Sequence, residues 1–108
     1  MSVRPVSQGE RLARLRLART ENVGPVTYQG LMRRFGTATK ALEALPNLAR
    51  RGGRSLPLKV FTAADAAREI EAGATLGATL LTAGEPDFPS LLAAIDPPPP
   101  LIWALGHP

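Results

Sequence analysis

TENVGPVTYQGLMRRFG, residues 20–36, decides the fold of this 108-residue chain. Tyr28, Leu31, Met32 and Phe35 fall at i, i+3, i+4 and i+7, which is one face of a helix. Arg33 and Arg34 lie off that stripe and point outward. Pro25 presets φ for a helix start, Gly24 before it permits a left-handed turn, and Gly36 stands where a helix-ending glycine belongs. A regular helix is therefore expected over 25–35, entered through a tight turn at 20–25.

Working toward the N-terminus, GERLARLRLART (9–20) is rich in helix formers, yet its apolar residues do not share one side. Leu12, Leu15 and Ala18 lie together with Arg11 and Arg19 in their arc, while Leu17 points elsewhere. At least one of these leucines must pack on something other than a one-sided core. Toward the C-terminus, Thr37 caps a third helix over about 38–45, with Ala41, Leu42 and Leu45 inward. Pro46 is expected to stop it, with a short helical turn at 47–51. RRGGRSLPLKV (50–60) reads as a loop. Thr62-Ala-Ala-Asp65 is a loose capping box opening a helix to about residue 75, with Ala63, Ala67, Ile70 and Ala74 as a small-residue packing face. ATLLT (78–82) and LIWAL (101–105) read as strands. Pro89 introduces a short helix between them, and the four prolines at 97–100 impose extended chain.

The expected class is mainly α: a small helical domain with a helix-hairpin-helix, followed by the start of an α/β layer. The expected boundaries are a disordered stretch at 1–8, the helical domain at 9–52, a linker at 53–61 and the α/β start at 62–108. One helix and two short strands cannot cover both faces of a sheet. The chain is thus expected to be part of a longer protein, or to lean on a partner.

Charge divides at the same place. Residues 1–60 carry 12 cations and 3 anions, and residues 61–108 carry 1 cation and 6 anions, within a net charge of +4. A half-chain at +9 suits a polyanion, and it also suits a solubilising arginine surface. The absence of cysteine excludes disulfide scaffolds and thiolate chemistry, and a single histidine, His107, excludes a cluster of His ligands. No apolar run approaches the roughly 20 residues of a membrane helix, and the N-terminus lacks the apolar core of a secretory signal. A cytoplasmic protein without membrane contact is expected. No serine sits in a nucleophile-elbow context, and Glu69 and Glu71 diverge on their helix. Glu85 and Asp87 flank Pro86 and could converge on a cation, but the favoured reading is an acidic, solvated turn ahead of a short helix. No catalytic set, metal site or cofactor is expected.

The 20–36 stretch resembles a helix-hairpin-helix, in which the backbone N–H groups of the glycine turn face a phosphate. The nucleic-acid-binding candidates are therefore Gly24, Arg33, Arg34 and Lys40. Such elements usually carry glycine on both sides of the hydrophobic residue. Asn22 occupies the first of those positions here, and asparagine tolerates φ > 0.

LARLRLART, NVGPVTYQGLMRRFG, ALEALPNLARRGG and LLTAGEPDFPSLLAAIDPPPPLIWALG together resemble the start of the DprA/Smf (DNA processing protein A) family, over about residues 10–108. The most specific marks are Phe88-Pro89, Leu91-Leu92, Asp96-Pro97-Pro98 and the strand ending at Gly106. The resemblance implies a SAM-like helical domain, then a Rossmann-like domain that binds single-stranded DNA and dimerises. It also implies loading of a RecA-type recombinase during natural transformation, without a cofactor or an established catalytic activity. The family's single-strand pocket lies beyond residue 108, and Leu105 stands where a basic residue is common. The expected role is accessory DNA contact. The alternative is a SAM-like protein-interaction module that uses the surplus leucines of 9–20.

Overall fold

In the computed structural model, residues 6–51 and 59–105 are described. The elements run α1 (Gln8–Arg19), α2 (Pro25–Phe35), α3 (Ala38–Arg51), α4 (Ala63–Thr75), β1 (Ala78–Thr82), α5 (Ser90–Ala93) and β2 (Leu101–Leu105). The expectations for residues 1–5, for most of the 53–61 linker and for His107 lie outside the described residues.

Three helix starts are capped by a side chain. Ser7 Oγ accepts the Glu10 N–H at 3.1 Å, Thr37 Oγ1 accepts that of Lys40 at 3.2 Å, and Thr62 Oγ1 accepts that of Asp65 at 3.0 Å. Each bond satisfies one of the donors a helix leaves free in its first turn. Helix α1 therefore begins at Gln8, inside the stretch expected to be disordered.

One boundary corrects the sequence reading: Pro46 lies inside α3 and does not end it. Proline in a helix interior costs about 3 kcal/mol through its missing N–H and its ring. Pro46 is exposed, whereas Leu45 beside it is 5% exposed, with Leu48 half-buried a turn further on. Burial of that leucine face offsets the local loss.

Helix α1 stands between two cores. Ala13 and Leu17 pack with Tyr28, Ala38, Ala41 and Leu45 of α2 and α3, and Leu31, Met32, Phe35 and Val60 cover this first core. Leu15 packs with Ala66 and Leu80, covered by Leu12, Phe61, Ile70, Leu101 and Trp103. A helix turns about 100° per residue, so Leu15 and Leu17 face nearly opposite ways. Both are fully buried. The second partner required by the scattered leucines of α1 is the 61–105 segment of the same chain. Neither Leu15 nor Leu17 is free to dock another protein.

Strands β1 and β2 pair antiparallel, with Leu80 opposite Trp103 and Thr82 opposite Leu101. Leu80 and Trp103 share the sheet face that meets α4. The packing face of α4 differs from the expected one. Ala66 is fully buried, Ile70 and Gly73 are half-buried, and Ala63, Ala67 and Ala74 are exposed. The reason is Trp103, whose ring lies directly on Gly73. A methyl group built at residue 73 would sit 2.6 Å from Cη2 and 3.0 Å from Cε3 of the indole. Only glycine lets the helix and the indole approach this closely.

Candidate nucleic-acid interface

The cations of α1 are used up inside the molecule. Arg11 Nη2 donates to Glu85 Oε1. Arg14 donates to Thr82 Oγ1 at 2.9 Å and to Glu10 Oε2 at 3.2 Å. Arg16 Nε donates to the Phe61 carbonyl at 3.0 Å. Arg19 grips both oxygens of Glu69, at 3.2 and 3.0 Å, and the Trp103 indole N–H donates to the same carboxylate at 2.8 Å. These bonds run from α1 to the loop before α4, to α4, and to the end of β1. They tie the basic half of the chain to the acidic half.

Glu85 is the clearest departure from the sequence reading. It is 8% exposed and takes no part in a solvated acidic turn. Its Oε2 accepts the Thr82 N–H at 2.7 Å and the Thr82 hydroxyl at 2.6 Å. Asp87, two residues on, is exposed and does not join it. Burial pushes the Glu85 carboxyl up, but the Arg11 and Thr82 hydrogen bonds outweigh it and hold the group below the ordinary carboxylate value.

Glu10 is a second, half-buried tie. It accepts the Ala38 N–H at 2.8 Å, the Thr39 N–H at 3.2 Å and the Thr39 hydroxyl at 2.9 Å. A carboxylate from α1 thus caps the N-terminus of α3, where the helix dipole favours negative charge. Burial raises its pKa, and the bonds from Ala38, Thr39 and Arg14 together leave it lowered. With Thr37 capping Lys40, the first turn of α3 is satisfied internally.

The N-terminus of α2 is different. Gly24 is the N-cap, no side chain caps the helix, and Gly24, Pro25, Val26 and Thr27 are all exposed. The left-handed residue of the turn is Asn22, at φ 67°, whereas Gly24 has φ −89°, which any residue adopts. This corrects the role expected for Gly24: asparagine supplies the αL position. A methyl group at Gly24 would meet nothing within 4 Å. Neither conformation nor packing requires glycine there. Its lack of a side chain leaves the N–H groups of Val26 and Thr27 open to approach from outside.

Arg33 and Arg34 end α2, and Lys40 lies in the first turn of α3. All three are exposed, and among the described residues none pairs with a carboxylate. The two arginines also complement the negative end of the helix dipole. Arg34 stacks over Phe35, with its guanidinium carbon 5.1 Å from the ring centroid. Helix rise is about 1.5 Å per residue, so Gly24 and this basic end are about 14 Å apart along α2. Gly24 and the two arginines thus stand at opposite ends of α2, and Lys40 follows on α3, six residues after Arg34.

Sequence reasoning missed Glu10 and Glu85, whose partners lie 28 and 74 residues away. Local motifs give no signal for such pairs. The surplus of arginine on α1 was the one available hint, because guanidinium groups interleaved with leucines need partners when the helix is central.

Residues 8–72 match the family model of the DprA-like N-terminal HHH domain. No curated protein matches the chain. Among the described residues, no helix is long and apolar enough to cross a membrane.

Proposed function

Since this chain belongs to the DprA-like N-terminal HHH family, we propose that its helical unit is an accessory nucleic-acid contact that grips sugar-phosphate backbone without reading sequence. One observation carries this reading. Internal bonds take up the α1 arginines, yet Arg33 and Arg34 at the end of α2 and Lys40 at the start of α3 stand exposed, with no carboxylate partner among the described residues. Unpaired cations grouped on one surface attract a polyanion. The open N-terminus of α2 at Gly24 adds a second place where backbone N–H groups receive a phosphate.

In the wider proposal, residues 62–108 begin a Rossmann-like domain of a longer DNA-processing protein. That protein binds single-stranded DNA chiefly outside this chain. It assists a RecA-type recombinase during natural transformation, acts as a homodimer and works in the cytoplasm. The role is binding, and no catalytic step is assigned to these residues.

Salt titration of the whole chain with a single-stranded oligonucleotide tests the proposal. Affinity should fall steadily with salt, and a variant with Arg33, Arg34 and Lys40 all changed to Ala should lose about 2 from the log–log salt slope, at roughly 0.7 per phosphate contact. Gly24→Ala should leave the fold intact and weaken binding at low salt. A triple variant that binds as well as the parent would overturn the assignment.

A further inference from the structure

We propose that Arg34 and Phe35 form a stacking platform for an unpaired nucleobase, which makes the basic end of α2 selective for single-stranded over duplex nucleic acid. This rests on the backbone-binding role assigned above and names the substrate class of the same surface.

The two residues are layered. Phe35 is half-buried against the first core, and the Arg34 guanidinium lies over its ring, 5.1 Å from the centroid. Arg34 itself is exposed and has no carboxylate partner among the described residues. The ring packs against the core, and the residue whose guanidinium lies over it is exposed. A guanidinium held over a ring is a flat cation restrained before any ligand arrives. Such planes accept the face of a nucleobase, and the positive charge adds to the attraction.

The surroundings suit that ligand. Arg33 and Lys40 lie within six residues of the platform, exposed and with no carboxylate partner among the described residues, available to the phosphates on either side of a stacked base. The chain turns away at Gly36, whose φ of +84° excludes most side chains, and a methyl group there would meet nothing within 4 Å. The flank of the platform is therefore clear.

The other aromatic residues are engaged elsewhere. Tyr28 and Phe88 are buried, Phe61 covers the second core, and Trp103 rests on Gly73 with its N–H on Glu69. Among the described residues, Phe35 is the ring that carries a guanidinium over it. In a duplex, base faces are stacked on one another and only the backbone can be gripped. In a single strand, both faces and phosphates are available, so only the single strand gains the stacking contribution.

The test is fluorescence-anisotropy binding of the whole chain, at one low salt concentration, to three probes of equal length. These are a single-stranded oligonucleotide, its counterpart with several abasic sites, and a duplex. The abasic strand keeps the phosphates and lacks the rings. The intact strand should bind roughly fivefold or more tightly than the abasic strand, which is the loss of one stacked base. Arg34→Lys retains the charge and removes the planar cation. It should abolish most of the preference for the intact strand, read as the ratio of the two affinities. Arg33→Ala and Lys40→Ala should weaken both strands alike. Equal binding of intact and abasic strands by the parent chain, or a preference that survives Arg34→Lys, would refute the platform and leave the backbone-binding role standing. If neither strand binds, the backbone-binding role falls and takes the platform with it.

Discussion

Replacing Gly73 by alanine tests the packing between α4 and the sheet, because two effects of opposite sign meet there. In an exposed helix interior, Gly→Ala stabilises by about 1 kcal/mol through backbone entropy. Here the new methyl group would lie within 3.0 Å of Cε3 of the Trp103 indole and closer still to Cζ3. Those atoms belong to a rigid bicycle on β2, where Trp103 pairs with Leu80 and donates its N–H to Glu69 at 2.8 Å. The ring cannot move aside without stretching that bond. Overpacking costs about 1–3 kcal/mol, and a weakened hydrogen bond to a charged acceptor adds about 1.5–3 kcal/mol. The net expectation is a destabilisation of roughly 2–4 kcal/mol, with displacement of Trp103. Urea unfolding followed by tryptophan fluorescence reads both, since Trp103 is the only tryptophan in the chain. The midpoint should drop, and the native emission should shift as the indole moves. An alanine variant as stable as the parent, with unchanged emission, would refute the close approach and return residue 73 to the ordinary helix rule.

Leu15→Ala should cost about 2–5 kcal/mol in urea unfolding, because Leu15 is fully buried between α1, α4 and β1. Glu85→Gln should cost about 1–3 kcal/mol by the same measurement, as Arg11 and Thr82 lose their charged acceptor. Acid should loosen the joint between the two halves. The carboxyls of Glu10, Glu69 and Glu85 are all lowered from 4.5, so their contribution is complete above that unfolded value and is lost as pH falls through the lower folded values. Thermal midpoints should therefore be flat from pH 7 to about 5 and decline steadily below about 4.5, less steeply in Glu85→Gln.

Periodicity and punctuation by themselves determined the helices, the two strands and most of their ends. The stripe of Tyr28, Leu31, Met32 and Phe35 could form only one helix face, and the caps at Thr37 and Thr62 act on donors three residues away. These features were legible because both partners lie within a few residues of each other. The leucines of α1 also announced a second packing partner, since Leu15 and Leu17 cannot face one core. Tertiary structure alone decided what that partner was and what it did to the charge. Glu10 reaches α3, Arg11 reaches Glu85, and Arg19 reaches Glu69, each across a separation that no local pattern records. The helix through Pro46 and the glycine beneath Trp103 were decided the same way, by burial that outweighed a local preference. Of a basic half-chain that sequence reads as one charge, packing takes up the α1 arginines and leaves Arg33, Arg34 and Lys40 exposed with no carboxylate partner among the described residues, because a cation already bonded inside the molecule is no longer available to an external anion.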